Sequence, residues 1–224
     1  MSGRGGRRRG LFVTFEGIEG SGKSTQLARV RVRLEALGLP VLATREPGGT
    51  TIGEHLRRVL LESSGRLDPA AELLLMLADR RQHLTESIEP ALAAGAVVLC
   101  DRYTDASRAY PGAGRGLGEA AVDALHRTFA PLEPDRTYLF DCPVETALAR
   151  VAARSGGSVD RFERESLSFH RRVRAAYRRR ARREPRRIAV LDASLPAAAV
   201  FAALWRDLAR VLRAHGHSVP AEQA

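Results

Sequence analysis

The chain has 224 residues, of which 44% are apolar, so it is long enough for one large domain with a sizeable core. No run of 18 or more apolar residues occurs in it, which excludes a transmembrane helix from the printed sequence. The net charge of +10 means that nucleic-acid binding must be weighed, but only 5% of residues are aromatic and no stretch is suited to stacking bases, so nucleic acid is not the expected partner.

Five short apolar runs predict β-strands, and helical stretches of ten or more residues separate them. The predicted strands are residues 11–16, 40–45, 97–101, 137–141 and 187–192. This alternation predicts an α/β fold in which a five-stranded parallel sheet carries helices on both faces. Ligands bind at the carboxyl ends of such strands, and four of the five end in a charged residue: Arg45, Asp101, Asp141 and Asp192.

A phosphate-binding loop follows the first predicted strand and precedes an amphipathic helix. Its sequence matches the pattern G-x-x-x-x-G-K-[ST] and comprises Gly17, Ile18, Glu19, Gly20, Ser21, Gly22, Lys23 and Ser24. The backbone N–H groups and the helix N-terminus suit the phosphates of ATP, and the Ser24 hydroxyl suits Mg²⁺. Lys23 is the only lysine in the chain and is placed to reach the β- and γ-phosphates.

The second predicted strand runs into a turn with one proline and two glycines, which leaves Arg45 and Glu46 at the sheet edge. A helix over 52–61 then carries Arg57. A further helix over 72–86, preceded by Asp68 as its N-terminal cap, is predicted to bury several of its sides or to lie at a subunit interface.

Charged and polar residues follow the third predicted strand. Asp101 is expected to bind Mg²⁺ directly or through water, and Arg102 offers a bidentate guanidinium to a phosphate. A glycine-rich segment over 107–116 follows. Residues 154–161 combine paired glycines with arginines, which predicts a mobile flap over the phosphates.

The remaining basic residues cluster in two places. Residues 1–9 are predicted to be a disordered tail, and the arginines of 171–187 are interpreted as the solvated face of a helix. We expect a single P-loop kinase domain over 10–216, with a lid at about 150–163 and a loose C-terminus over 217–224. Cys100 and Cys142 are expected to be buried free thiols, as is usual in a reducing compartment.

Five segments together resemble the bacterial thymidylate kinase family over most of the chain. They read FEGIEGSGKST, TREPGGT, LADRRQHL, DRYTDAS and DRFE. The P-loop alone indicates only a nucleotide kinase or NTPase, whereas the other segments at these spacings are much more specific. The resemblance implies transfer of the γ-phosphoryl group of ATP to dTMP, giving dTDP, by a Mg²⁺-dependent cytoplasmic homodimer.

The resemblance also implies a role for individual residues. The dTMP site is expected to contain Glu46, Arg57, Met76, Arg80, Arg102, Ser107 and Tyr110. Arg57 and Arg102 would bind the dTMP phosphate, Arg80 would face the thymine, and Tyr110 would lie under the sugar. Glu19 would position the acceptor or the metal.

Two features set this chain apart within the family it resembles. One branch carries a catalytic arginine in the P-loop where this chain has Gly20, so Arg154 and Arg161 of the lid are the expected catalytic arginines. The family usually has Phe at Met76 and often Gln at Pro111, which suggests weaker discrimination between dTMP and dUMP.

The chemistry implies that no general base is required, because a nucleoside monophosphate is already largely dianionic near pH 7. A deoxynucleoside kinase would instead need a base for a neutral hydroxyl, and Glu16 or Glu46 are the candidates. Two further hypotheses belong to different functional classes: a nucleic-acid-stimulated ATPase, and a nucleotide-binding protein that has lost catalysis.

Overall fold

A parallel five-stranded sheet forms the centre of the protein. The computed structural model describes residues 9–63, 67–155 and 160–220, without the side chains of residues 154 and 155. The strands have the spatial order β2-β3-β1-β4-β5 and all pair in parallel. Their bounds are β1 Phe12–Glu16, β2 Val41–Arg45, β3 Val97–Asp101, β4 Arg136–Asp141 and β5 Ile188–Asp192.

Helices connect these strands and cover both faces of the sheet. Their bounds are α1 Lys23–Ala36, α2 Thr51–Glu62, α3 Pro69–His83, α4 Glu89–Ala93, α5 Thr104–Ser107, α6 Glu119–Phe129, α7 Val144–Ser155, α8 Leu167–Arg183 and α9 Ala197–Ala214. Within the described residues, no helix has the length and hydropathy needed to cross a bilayer.

Side chains along β1 and β3 point alternately to the two faces of the sheet, so the apolar core consists of one cluster on each face. Val13 and Leu99 belong to the larger cluster on one face, whereas Phe12 and Val98 belong to the smaller cluster on the other. Successive strand side chains point to opposite faces, so a strand with helices on both sides is apolar throughout. The five-stranded parallel sheet with helices on both faces is therefore confirmed, and each predicted strand starts within one residue of its observed start.

Two predicted segments differ from the structure. The helix predicted over 72–86 starts at Pro69 and is regular only to His83, after which Leu84–Ile88 form a π-helical turn. Its cap is confirmed, because the Asp68 carboxylate accepts hydrogen bonds from two backbone N–H groups of the first turn. The glycine-rich segment over 107–116, which was not predicted to be helical, contains a second π-helical stretch, Arg108–Gly114.

The arginine-rich helix α8 is only partly a solvated face. Arg174 pairs with Asp141 at 2.6 Å, and Arg180 pairs with Glu184 at the end of the helix. The guanidinium of Arg187, just beyond α8, lies 2.8 Å from a buried carboxylate oxygen of Asp105. Some of the arginines that were predicted to face solvent therefore form ion pairs with other elements, and these pairs hold α8 and the residues after it against the domain.

Strand order fixes the position of the site. The chain leaves β1 toward β2 on one side and reaches β4 on the other, so β1 lies where the strand order reverses. Such a reversal opens a crevice at the carboxyl ends of the neighbouring strands. Pairing of Phe15 with Asp101 sets the end of β3 beside the start of the P-loop.

Candidate active site

The P-loop joins β1 to α1 and requires glycine at two positions. A Cβ atom on Gly17 would lie 2.5 Å from the carbonyl oxygen of Phe140, and one on Gly20 would lie 2.1 Å from that of Ala147. Both residues also have positive φ, 140° and 73°. Because Gly20 packs against α7, this chain has no room there for the arginine of the other family branch.

Lys23 lies in the first turn of α1 and crosses the loop. Its Nζ donates to the carbonyl oxygens of Gly17 and Ile18, both at 2.9 Å, and the side chain is buried. Burial, followed by the positive charge of Arg102, lowers the pKa of Lys23 to about 8. The ammonium group is thus held among the carbonyls of the loop that is predicted to bind phosphates.

Ser24 and Asp101 meet as the sequence predicts. The Ser24 hydroxyl donates to Asp101 Oδ2 at 2.6 Å. Asp101 Oδ1 is buried and has no hydrogen-bond partner among the described residues. A hydroxyl and a carboxylate oxygen are ligands that Mg²⁺ prefers, and an unpaired buried carboxylate oxygen is costly unless a cation or water satisfies it, so this pair fits a magnesium ion.

Arg102, Glu19 and Tyr110 form one cluster beside the P-loop. Arg102 Nη2 lies 2.7 Å from Glu19 Oε1, the Tyr110 hydroxyl donates to the same carboxylate at 2.7 Å, and the guanidinium lies 4.9 Å from the centre of the Tyr110 ring. Burial raises the pKa of Glu19, but the charges of Arg102 and Lys23 outweigh it and leave that pKa lowered. Glu19 is therefore ionised and holds both partners in place.

Arg102 reaches this cluster through an unusual backbone conformation. It is the only residue other than glycine with positive φ in the described part of the chain, at 72°. Such a conformation is uncommon for residues with a Cβ and is often retained at functional sites. It directs the guanidinium back over the P-loop.

A chain of buried polar contacts begins just after β2, at Glu46. Arg80 Nε donates to Glu46 Oε2 at 2.8 Å, and Arg80 Nη1 donates to the Ser107 hydroxyl at 3.1 Å. The Ser107 hydroxyl in turn lies 3.8 Å from the Met76 sulfur. The other Glu46 oxygen lies 3.2 Å from His83 Nδ1, so His83 helps to hold the carboxylate that binds Arg80.

Two further arginines, Arg45 and Arg57, lie near the carboxyl end of β2. Arg57 Nη1 donates to the Pro47 carbonyl at 2.9 Å, and Arg45 pairs with Glu54 at 3.1 Å. Burial, followed by the positive charge of Arg45, lowers the pKa of Arg57. Arg45, Arg57, Arg102 and Lys23 all line the same cavity. A group of cations that repel one another in this way suits a polyanionic ligand.

These residues surround a cavity of about 260 Å³ at the carboxyl ends of β1, β2 and β3. Its lining includes all seven residues predicted for the substrate site, together with Glu19, Lys23, Ser24 and Asp101. A second cavity, of about 460 Å³, lies on the other side of the P-loop against α9. The two cavities share Gly20, Gly22 and Thr25, so the phosphate loop lies between them.

Three predicted positions differ from the rest. Arg161 does not contribute to the described lining of the cavity, and its guanidinium lies 2.7 Å from Glu72. The side chain of Arg154 falls outside the described residues, as do residues 1–8, 156–159 and 221–224 of the predicted tail, lid and C-terminus. Pro111 is buried in the π-helical stretch, outside the described lining of the cavity, and its effect on discrimination between dTMP and dUMP stays a prediction.

The two carboxylates considered as general bases are both engaged. Glu16 accepts hydrogen bonds from the Tyr103 backbone N–H at 2.7 Å and from the Tyr177 hydroxyl at 2.8 Å, and the described cavity lining does not include it. Glu46 lines the cavity but pairs with Arg80. Neither arrangement offers a free carboxylate to an acceptor hydroxyl.

Sequence reasoning missed several residues of the site. Asp79 and Phe162 line the first cavity, and Arg150 and Ser194 line the second. Asp79 precedes Arg80, and Phe162 lies within the DRFE segment, so both stand inside segments that carry the family resemblance. Arg150 carries no such signal, because it lies in an ordinary amphipathic helix outside those segments.

Comparison with known proteins gives a consistent result. A family model described as thymidylate kinase matches residues 15–204. The chain is 51% identical over 201 residues to a thymidylate kinase of Bordetella petrii, covering 89% of this chain and 95% of that protein. It is 52% identical over 196 residues to one of Pseudomonas putida, covering 87% and 94%.

A solved structure agrees with these relatives. The crystal structure of thymidylate kinase from Ehrlichia chaffeensis superimposes with a TM-score of 0.73 at 31% identity, over 89% of this chain and 99% of that one. The similarity thus extends over nearly the whole sequence and over the fold.

Proposed function

This chain belongs to the thymidylate kinase family, and from that premise we propose that the cavity beside the P-loop is its dTMP site. The chain is an enzyme that phosphorylates dTMP to dTDP with ATP as the phosphate donor. The observation that carries the assignment of the two sites is their geometry, since two cavities meet at one phosphate loop. ATP enters from the cavity against α9, and dTMP enters from the cavity lined by arginines.

The dTMP phosphate is bound by Arg57 and Arg102, which both line the cavity, and the Arg102 guanidinium lies 2.7 Å from Glu19 of the P-loop. The thymine lies at the far end, where Arg80 and Ser107 offer hydrogen-bond donors and Met76 covers a ring face. Tyr110 lies between these ends, on the sugar. Its hydroxyl is already bound to Glu19, which leaves little room for a 2′-hydroxyl.

The transfer needs no general base, because the attacking phosphate oxygen of dTMP is already ionised near neutral pH. The work of the protein is to bring two anions into line and to neutralise their charge. Lys23 binds the β- and γ-phosphates of ATP. Arg102 contacts the transferred phosphoryl group from the acceptor side, and its ion pair with Glu19 keeps it in that position. The engaged state of Glu16 and Glu46 supports this mechanism over transfer to a neutral hydroxyl.

Ser24 and Asp101 hold Mg²⁺ in this proposal. The unpartnered oxygen of Asp101 supports it, since the described residues offer that atom no donor. The ion supplies charge neutralisation to the β- and γ-phosphates when ATP is bound. Removal of divalent cations with a chelator should abolish transfer, and Asp101→Asn should raise the Mg²⁺ concentration needed for half-maximal rate.

We also propose that the protein is a cytoplasmic homodimer, and that each subunit consists of one kinase domain over residues 10–216. Leu74 on α3 and Phe129 on α6 are each at least half exposed, and these two helices pack against one another. Two exposed large apolar side chains on adjoining helices support a subunit interface there. ATP as the donor and the two free buried thiols support the cytoplasm.

Replacing Arg57 tests the assignment of the phosphate end. Arg57→Gln should lower kcat/KM for dTMP by about 10- to 100-fold, since a charge-assisted hydrogen bond contributes about 1.5–3 kcal/mol. Arg58→Gln is the matched control, because Arg58 is its exposed neighbour on α2. Equal losses in the two variants would contradict a specific role for Arg57 in binding dTMP.

A further inference from the structure

Three contacts hold Arg161 in a position outside the described lining of the cavity. Its Nη2 lies 2.7 Å from Glu72 Oε2, and its Nε donates to the Leu60 carbonyl at 2.7 Å. Its backbone N–H donates to the Leu61 carbonyl at 3.2 Å. The residue therefore ties the start of segment 160–165 to the C-terminal end of α2 and to α3.

Glu72 is the buried partner of this arrangement. It is fully buried in the first turn of α3 and lies within 3.4 Å of a second guanidinium, that of Arg115. Arg115 also pairs with Glu165 at 2.6 Å, so it holds the far end of the same segment. An ionised carboxylate removed from water needs cationic partners, which explains why both arginines converge on it.

The segment held in this way places one aromatic side chain in the cavity wall. Phe162 is 5% exposed and lines the cavity, and the Arg161 guanidinium lies 4.6 Å from the centre of its ring. The ring of Phe162 meets that of Tyr110 edge to face, with centres 5.3 Å apart. Tyr110 donates to Glu19 and also lines the cavity, so Phe162 supports the part of the cavity wall that Tyr110 forms.

We propose that Arg161 is a positioning residue of the acceptor site, and that Glu72 anchors it so that Phe162 packs against Tyr110. Arg161 then acts on the affinity for dTMP through Phe162, and the charge stabilisation of the transferred phosphoryl group comes from other cations. This rests on the proposed function, because it assigns a role within the same dTMP site.

Steady-state kinetics on four variants and one control tests this role. Arg161→Gln, Glu72→Gln and Phe162→Ala should each raise the KM for dTMP by about tenfold, with kcat within about threefold of the parent and the KM for ATP unchanged. Arg161→Gln combined with Phe162→Ala should be no worse than Phe162→Ala alone. Arg164→Gln, which removes an exposed arginine from the same segment, should match the parent.

A direct role for Arg161 in the transfer step predicts a different pattern. An arginine that stabilises the phosphoryl group contributes on the order of 10³-fold or more to kcat. A loss of that size in kcat for Arg161→Gln, with Glu72→Gln unimpaired, would overturn the proposal. If Glu72→Gln fails to fold, Arg161→Lys replaces it, and this variant should also raise the KM for dTMP and leave kcat intact. A parent protein without transfer to dTMP would overturn the proposed function itself, whereas an active parent with a kcat defect in Arg161→Gln would overturn only the role of Arg161.

Discussion

Replacing Glu16 by Gln should stabilise the protein, and the effect should depend on pH. Glu16 ends β1, is 1% exposed and accepts hydrogen bonds from Tyr103 and Tyr177. Burial, followed by the negative charge of Asp105, raises its pKa from 4.5 to about 7. A glutamine fits the same two partners, because its carbonyl oxygen accepts from the Tyr103 N–H and its amide donates to the Tyr177 oxygen.

The sign of the effect follows from proton binding. The pKa in the folded state lies above that in the unfolded state, so between pH 4.5 and 7 the folded protein binds a proton that the unfolded chain has lost. The contribution of Glu16 to the free energy of unfolding is therefore greatest below pH 4.5 and falls as the pH rises toward 7. A difference of about 2.5 between the two pKa values corresponds to a loss of about 3 kcal/mol.

Urea denaturation of the parent and Glu16→Gln at pH 5 and pH 8 measures this effect. The difference in the free energy of unfolding should be small at pH 5 and reach about 3 kcal/mol in favour of the variant at pH 8. Transfer to dTMP should persist in the variant, because Glu16 is not proposed to act as a base. A pH-independent difference, or a variant that is less stable at pH 8, would refute this reasoning.

Three further predictions concern the site and the assembly. Lys23, with its pKa lowered to about 8, loses its charge above that pH, so kcat/KM for ATP should fall about tenfold per pH unit above it; a profile flat to about pH 9.5 would contradict the prediction. Met76→Phe should raise the ratio of kcat/KM for dTMP over dUMP, by up to about tenfold, whereas Pro111→Gln should leave it unchanged because that residue lies outside the described cavity lining. If the proposed dimer forms through α3 and α6, Leu74→Glu should convert it into monomers in sedimentation velocity experiments at micromolar concentration, and a dimer that persists in the variant would place the interface elsewhere.

Much of the site could be predicted because its residues follow directly from strand ends. The P-loop, Asp101 and Arg102 lie in short segments whose residue types specify both the backbone conformation and the groups that bind the ligand. Close contacts with neighbouring carbonyl oxygens require glycine at positions 17 and 20, so the glycines of the motif already indicate where the loop packs tightly. Parallel strands then bring such segments to one edge of the sheet, as the contact between Ser24 and Asp101 shows.

The side-chain partners could not be predicted in the same way, because they depend on elements that are distant in sequence. Arg161 stands in a segment with phosphate-binding chemistry, yet its guanidinium pairs with Glu72, a residue 89 positions earlier. Arg187 likewise pairs with Asp105 across 82 positions. A guanidinium suits a buried carboxylate as well as a phosphate, and only the packing of α2, α3 and α8 decides between them.

The π-helical stretch Arg108–Gly114 escaped prediction because tertiary packing outweighs the local preference of its residues. Pro111 and the glycines around it are typical of loops, whereas the structure keeps this stretch helical with wider turns. Burial of Tyr110 against Phe162 and Phe169 outweighs the weak helical preference of these residues. Tertiary packing therefore fixes the position of Tyr110, and residue preference alone indicates the wrong local structure.

The phosphate acceptor of this enzyme is identified by measuring release of ADP from ATP by the purified protein, with different acceptors supplied one at a time. The acceptors are dTMP, dUMP, dCMP, dAMP and thymidine, each with Mg²⁺ present. We expect rapid release with dTMP, slower release with dUMP and none with thymidine, because the site binds an ionised phosphate and provides no free base. Release that requires thymidine instead of dTMP, or that no acceptor stimulates, would contradict it.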